Sequence, residues 1–130
     1  MSFAMAQYRT NEFQTASPAK VIVAFYDGAI RFIKLAMPAI DAKDFATKGR
    51  HLSRAHAIVT ELRAELDHTR APELCAELAR LYTYVLDCIT EANITVSSKK
   101  LESAVRVLEQ LRSAWAQLAD EPSVRVIGGP

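Results

Sequence analysis

The sequence has 130 residues, 50% of them apolar and 24% charged, which is typical of one globular domain with a buried core. The 16 Lys and Arg residues nearly balance the 15 Asp and Glu residues, so the net charge of +1 does not favour nucleic acid or an acidic membrane as a partner. No segment provides the ~18 apolar residues of a membrane-spanning helix, and the N-terminus contains no signal-peptide core. We therefore expect a cytosolic protein that neither binds nucleic acid nor inserts into a membrane.

The two cysteines, Cys75 and Cys88, fit a reducing compartment. They lie in one predicted helix, and at ~1.5 Å per residue their Cα atoms are about 20 Å apart, which is beyond disulfide reach. Neither has a second ligand two to four residues away, as structural zinc sites require. We expect two free thiols, buried or half-buried, and no zinc.

Proline residues divide the chain into helices. Ser17-Pro18 pairs an N-cap hydroxyl with a residue suited to the first helical turn, and Pro72 marks a later helix start. Pro38 should kink or fray the end of the first helix. Elsewhere apolar residues recur every three or four positions, the period of an amphipathic helix. Four helices are predicted, over residues 18–40, 44–67, 72–96 and 98–119.

The connections between these helices are short, so each helix must fold back on the one before it. The predicted fold class is therefore all-α, an antiparallel up-down-up-down four-helix bundle with an N-terminal arm. The predicted divisions are the arm at residues 1–16, the bundle at residues 17–120 and a flexible C-terminal tail at residues 121–130.

Two single residues carry structural predictions. Trp115 falls on the apolar stripe of the fourth helix with Leu108, Leu111 and Leu118, which predicts a core position. Gly28 lies inside the first helix, where glycine costs ~1 kcal/mol relative to alanine. We expect Gly28 to permit the close approach of another helix or of a ligand.

A metal site is disfavoured. Di-iron bundles need Glu-x-x-His on two helices and a further Glu from each of the other two. Glu65 and His68 provide one such motif at a helix end, and no second motif exists in the sequence. Solvated charges are the better interpretation, and no metal or cofactor is predicted.

Histidine phosphotransfer is the alternative function. It requires an exposed helical histidine with a cation nearby and a small residue one turn on. His51, with Arg54 and Ala55 following it, meets this requirement loosely, and histidine titrates near neutral pH. A phosphotransfer bundle that uses His51 therefore stays open beside the hypotheses below.

Basic residues cluster at two helix starts. Lys48, Arg50 and Arg54 form one patch, and Lys99 and Lys100 form another. Proteins that bind single-stranded nucleic acid place exposed aromatic side chains between their basic residues as stacking platforms, and these patches have none. Both are interpreted as solvated faces.

Two features exceed what a four-helix core needs. The arm contains Phe3, Met5, Tyr8 and Phe13, which is too apolar for a solvated segment, so something should cover it. The third helix carries Leu81, Tyr82 and Tyr84, which cannot all face one core. Tyrosine is favoured where one end of the side chain is dry and the other wet, as in a binding groove. A buried Tyr82 beside an idle surface Tyr84 stays equally open.

Motifs in a fixed order extend over nearly the whole chain, from about Tyr8 to Gln117. They are Tyr8 and Phe13; Thr15-Ala16-Ser17-Pro18; Phe25-Tyr26-Asp27-Gly28-Ala29-Ile30-Arg31-Phe32; Lys48 and Leu52 through Glu61-Leu62; Leu81-Tyr82 with Tyr84; Glu91-Ala92-Asn93; and Leu111-Arg112 with Ala114-Trp115. Each motif is weak alone, but the ordered set resembles the FliS family of flagellar export chaperones.

This resemblance implies a cytosolic, non-enzymatic chaperone without a cofactor. Such a protein binds the disordered C-terminal segment of flagellin, keeps flagellin from polymerising and helps to deliver it to the flagellar type III export gate. Its implied partners are that segment and an export gate protein. Whether it also binds other flagellar regulators stays open.

The candidate groove or flagellin-binding residues follow from the resemblance and from the unexplained apolar residues. They are Tyr8, Phe13, Tyr26, Asp27, Leu81, Tyr82, Tyr84, Ala92 and Asn93. We further expect the arm to fold over the flagellin groove as a lid, with Tyr8 and Phe13 as plugs that the client displaces.

Overall fold

The computed structural model of the protein describes residues 18–120. All regular structure in this range is helical, and the four predicted helices are confirmed. They are α1 (Pro18–Asp41), α2 (Phe45–Ala64), α3 (Pro72–Thr95) and α4 (Lys99–Ala119). The predicted site residues Tyr8 and Phe13, the arm at 1–16 and the tail at 121–130 lie outside the described residues.

Local hydrogen bonds explain where the helices begin and end. α2 begins after Asp44, whose side chain accepts a hydrogen bond from the Thr47 N–H at 3.2 Å. It ends three residues before the predicted position because Asp67 Oδ1 accepts hydrogen bonds from the backbone N–H and hydroxyl of Thr69, which close a turn there. α1 continues through Pro38 to Asp41.

Contacts between neighbouring helices fix their directions. Between α1 and α2, Gly28 lies opposite Ile58 and Phe32 lies opposite His51, so later residues of α1 meet earlier residues of α2. The other neighbouring pairs are also antiparallel. For α2 and α3 the contacts are Arg63 to Thr83 and Lys48 to Asn93, and for α3 and α4 they are Tyr84 to Ser103 and Glu91 to Lys100. For α1 and α4 they are Asp27 to Arg112 and Lys34 to Glu109. The fold is therefore an up-down-up-down bundle closed by α4 packing on α1.

The core is apolar along the full length of the bundle. Its largest fully buried side chains are Tyr26, Ile33, Leu52, Val59, Val85, Leu101 and Leu108. Cys75 and Cys88 are also buried, and both are free thiols, as predicted. A Cβ atom on Gly28 would lie 3.3 Å from Ile58 Cδ1, so the absence of a side chain allows the close approach of α1 and α2.

The predicted core position of Trp115 needs correction. Of the four stripe residues in α4, only Leu108 is fully buried; Leu111 and Trp115 are partly buried against the core, and Leu118 is 40% exposed. Three residues make less than one helical turn, and ten make less than three. Leu111 and Leu118 therefore lie to one side of Leu108 around the helix, on the side that faces α3. This rotation places Leu111 and Leu118 beside a groove instead of inside the core.

Candidate functional site

One side of α3 carries apolar side chains that the core does not bury. Leu74, Leu81 and Tyr84 are separated by seven and three residues, so they share a side of the helix. Leu81 is half-buried, whereas Leu74 is 58% exposed and Tyr84 42% exposed. The Tyr84 hydroxyl donates a hydrogen bond to Ser103 Oγ of α4 at 3.0 Å, so this side of α3 faces α4.

The facing side of α4 continues the apolar surface. Val107, Leu111 and Leu118 follow Ser103 at intervals of four, four and seven residues and therefore share its side of the helix. Val107 and Leu111 are partly buried, and Leu118 is exposed. We call the combined surface the α3–α4 stripe, defined by Leu74, Leu81, Tyr84, Val107, Leu111 and Leu118.

The stripe has the chemistry of a helix-binding groove. A partner helix with apolar residues at intervals of three or four positions could lay that face along it. Ser103 and Tyr84 supply hydroxyl groups at one end. One charged side chain interrupts the stripe: Glu77, between Leu74 and Leu81 on the same side of α3, is exposed and pairs with Arg80.

Three of the predicted groove residues lie in the core. Tyr26 and Ala92 are fully buried, Tyr82 is 2% exposed, and none of them offers surface to a partner in this structure. The hydroxyl groups of Tyr26 and Tyr82 are 2.5 Å apart and share a hydrogen bond that joins α1 to α3 through the core. Burial raises the pKa of both phenols, so both remain neutral.

Asp27 lies away from the stripe, in a cleft between α1 and α4. Its Oδ1 accepts a hydrogen bond from Arg112 Nε at 2.6 Å, and Asp27 raises the pKa of that guanidinium. Lys34 and Glu109 form a second ion pair at 3.2 Å. The cleft of about 430 Å³ between these pairs is lined by charge and has Ile30 as its apolar member. The charged side chains of this cleft already pair with each other, Asp27 with Arg112 and Lys34 with Glu109.

Asn93 lies at the opposite end of α3 from Leu74. Its side chain is exposed, and its backbone carbonyl accepts a hydrogen bond from Lys48 Nζ at 2.9 Å. Lys48 is only 7% exposed, and its ammonium group also lies 5.4 Å from the centre of the Phe45 ring. The prediction of a solvated face is therefore wrong for Lys48, which bridges the start of α2 and an end carbonyl of α3.

The structure thus brings together only part of the predicted site. Leu81 and Tyr84 lie on the α3–α4 stripe, whereas Asp27 and Asn93 lie on two other surfaces. The wall contributed by α4 was missed as a site, because Leu111 and Leu118 were assigned to the core. The spacing of Ser103, Val107 and Leu111 is the sequence signal that could have identified it.

His51 is unsuited to phosphotransfer. Its ring stacks on Phe32 with centroids 6.0 Å apart, and its Nδ1 atom is buried without a hydrogen-bond partner among the described residues. Arg54, the cation that would assist the reaction, lies over the same Phe32 ring, with its guanidinium carbon 5.7 Å from the ring centre. Both groups are engaged in packing, which disfavours an accessible nucleophile.

Residues 18–120 contain neither a cluster of metal-ligating side chains nor a membrane-spanning helix. No group of three or more His, Cys, Asp or Glu side chains in this range could hold a metal ion. Glu65 and His68 follow the end of α2 and do not face inward from a helix pair. None of the four helices has the length and apolar character needed to cross a membrane.

Comparisons with known proteins identify the family of this chain. The model of the family described as "Flagellar protein FliS" matches residues 1–122. The flagellar secretion chaperone FliS of Bacillus subtilis is 32% identical over 110 residues, which cover 85% of this chain and 81% of the relative.

Two further relatives have the same name. The flagellar secretion chaperone FliS of Salmonella typhimurium is 29% identical over 84% of this chain and 82% of its own length. The flagellar secretion chaperone FliS of Campylobacter jejuni is 28% identical over 90% of this chain and 91% of its own length. FliS proteins are chaperones and not enzymes, which removes the phosphotransfer alternative. Because the family model matches nearly the whole length of this chain, the chain belongs to the FliS family of flagellar secretion chaperones.

Proposed function

We propose that this chaperone binds the C-terminal segment of flagellin in the cytosol, prevents premature polymerisation and delivers flagellin to the flagellar type III export gate. The family supports the chaperone role. The observation that carries the binding role is the α3–α4 stripe, because it is an apolar surface that the other residues of the range 18–120 leave uncovered.

The bound segment folds as an amphipathic helix whose apolar face lies along the stripe. Coupled folding and binding costs ~2–5 kcal/mol in ordering, so the interface must be large, on the order of 1,000–3,000 Å². The stripe alone extends over about half of each of two helices, from Leu74 to Tyr84 on α3 and from Val107 to Leu118 on α4. Many moderate contacts along it hold the segment and still permit release at the export gate.

Titration calorimetry with a synthetic flagellin C-terminal segment tests this function. We expect one-to-one binding with heat release, and a gain of helical circular dichroism beyond the sum of the two components. The paired substitution Leu74→Ser with Leu118→Ser should weaken binding at least about tenfold, since it removes two exposed apolar anchors. No heat and no added helicity with the wild-type protein would refute the proposal.

A matched control uses two exposed apolar residues away from the stripe. Leu35 is 42% exposed in α1, and Ile94 is 75% exposed near the end of α3. Leu35→Ser with Ile94→Ser removes comparable apolar surface and should leave the affinity within about twofold. Equal losses in both double variants would show that binding is general hydrophobic adsorption and would exclude the stripe as the site.

A further inference from the structure

The net charge of +1 conceals a separation of charge within the bundle. α2 contains four basic residues and one acidic residue, whereas α3 contains four acidic residues and one basic residue. There is no acidic residue between positions 28 and 40 of α1 or between positions 45 and 60 of α2. The outer face formed by α1 and α2 is therefore basic over more than half of its length.

Three arginines on this face have no ion-pair partner among the described residues. Arg31, Arg50 and Arg54 are all exposed, and none lies within salt-bridge distance of a carboxylate there. Arg50 contributes least to lowering the pKa of Asp44, since hydrogen bonds from Thr47 are the main cause of that lowering. The bundle gains little stability from Arg31 and Arg50, whereas Arg54 contacts the Phe32 ring and keeps its guanidinium exposed.

The arginines surround an apolar centre. Arg54 lies over the Phe32 ring at 5.7 Å, and Arg50 precedes Arg54 by one helical turn. Phe32 is half-buried, and Leu35, one turn further along α1, is 42% exposed. We call this surface the basic face, defined by Arg31, Phe32, Leu35, Arg50 and Arg54.

We propose that the basic face is a second protein-docking surface, and that its partner is an acidic amphipathic helix of another protein. Leu35 and the edge of Phe32 would receive an apolar side chain of that helix. Arg31, Arg50 and Arg54 would pair with carboxylates flanking it, as guanidinium groups do in bidentate fashion. The stripe and the basic face lie on different helix pairs, so both can be occupied at once.

Charge complementarity with a protein fits this surface better than binding of nucleic acid does. Only three unpaired arginines are available, and the total charge of the chain is nearly zero. The single aromatic ring is already covered by Arg54 and by His51, so no platform is left for a base to stack on.

The probe for the test is a designed helical peptide of about four turns, with leucines at intervals of three or four positions and glutamates on both sides. Binding of the fluorescently labelled peptide to the full chain is measured by anisotropy at low and high salt. A scrambled peptide of equal composition and an oligothymidylate of equal charge are measured alongside. Sedimentation velocity reports self-association of the chain.

We expect binding of the designed peptide that weakens with salt, and weaker binding of the scrambled peptide. Arg50→Glu with Arg54→Glu should weaken binding at least about tenfold, because attraction becomes repulsion. The control Arg70→Glu with Lys99→Glu changes the net charge equally at exposed sites off the face and should change the affinity by less than about twofold. Leu74→Ser with Leu118→Ser should have no effect.

Four results would overturn the proposal. They are no binding of the designed peptide at low salt, equal loss in the two charge-reversed variants, tighter binding of the oligothymidylate than of the peptide, and wild-type self-association that the Arg50 and Arg54 reversal abolishes. Circular dichroism of every variant separates these outcomes from unfolding. Because the stripe variant is measured in parallel, failure here is distinguishable from failure of flagellin binding.

Discussion

At the scale of single residues, two tyrosine hydroxyls hold the interior together. Tyr26 and Tyr82 lie on helices that face each other across the core, and each hydroxyl is the other's hydrogen-bond partner at 2.5 Å. A buried hydroxyl without a partner costs about 1–3 kcal/mol, whereas removing both partners together can be nearly neutral. The pair therefore specifies how α1 and α3 meet.

A double-mutant cycle tests this role. Tyr82→Phe should lower the free energy of unfolding by about 0.5–1.5 kcal/mol, because it removes the hydrogen bond between the two hydroxyls while Trp115 still hydrogen-bonds Tyr26. The double variant Tyr26→Phe with Tyr82→Phe should lose less than the sum of the two single variants. Urea unfolding measures all four proteins, and strict additivity would show that the hydroxyls are not coupled.

Lys48 is a second residue whose contacts determine its role. Lys48→Met keeps the length of the buried side chain but removes the hydrogen bond to the Asn93 carbonyl, so we expect a loss of about 1–2 kcal/mol in the free energy of unfolding. Lys99→Met, at an exposed site, should change stability by less than about 0.5 kcal/mol. Thermal unfolding decides, and equal effects would mean that Lys48 behaves as an ordinary surface lysine.

At the scale of helices, periodicity predicts more than it predicts at the scale of residues. The number, order and direction of the helices follow from apolar spacing and short connections, because a helix must bury its stripe against a neighbour. The early end of α2 escaped prediction because it depends on a side-chain turn at Asp67 and Thr69. The burial of Lys48 was not predicted, because it depends on a hydrogen bond to the Asn93 carbonyl of α3, and the spacing of charges along α2 gives no information about a contact with another helix.

The same limit applies to the candidate site. Leu81 and Tyr84 were identified because neighbouring apolar positions on α3 cannot all face the core. Tyr26, Tyr82 and Ala92 belonged to recognisable motifs, but a motif does not distinguish a residue that contacts a partner from one that supports the fold. Only the packing places them inside.

The degree of burial of Trp115 has a direct consequence for stability. Because the side chain is only partly buried, Trp115→Ala should cost about 1–3 kcal/mol, less than the ~3–5 kcal/mol of a fully buried tryptophan. Leu108→Ala, at a fully buried site on the same helix, should cost about 2–5 kcal/mol. Urea unfolding ranks the two variants, and a larger loss for Trp115→Ala would restore the full core assignment.

At the scale of the whole molecule, the bundle presents different chemistry on different sides. An apolar stripe lies between α3 and α4, a basic face lies on α1 and α2, and satisfied ion pairs line the cleft between α1 and α4. Under the two proposals above, the flagellin segment and the acidic partner bind to different helix pairs. Separate helix pairs allow these surfaces to act independently.

The predicted lid gives a test that involves the whole chain. Deleting residues 2–14 should preserve helicity, because α1 begins at Pro18, and should leave the affinity for the flagellin segment unchanged or higher. The physical reason is that a covering arm must be displaced before the client binds, which lowers the apparent affinity. Calorimetry with circular dichroism measures both quantities. Loss of binding with helicity intact would mean that the arm contacts flagellin directly.

The most direct test of flagellin binding to the stripe is amide and methyl NMR of the isotope-labelled chain, titrated with the flagellin C-terminal segment. We predict that the largest shift changes occur at Leu81, Tyr84, Val107, Leu111 and Leu118, and that the signals of Arg50 and Arg54 barely move. Two results would contradict the assignment of the α3–α4 stripe as the flagellin site. One is that the largest chemical-shift changes at saturation lie on α1 and α2, and the other is that no shift changes at any ratio of segment to chain.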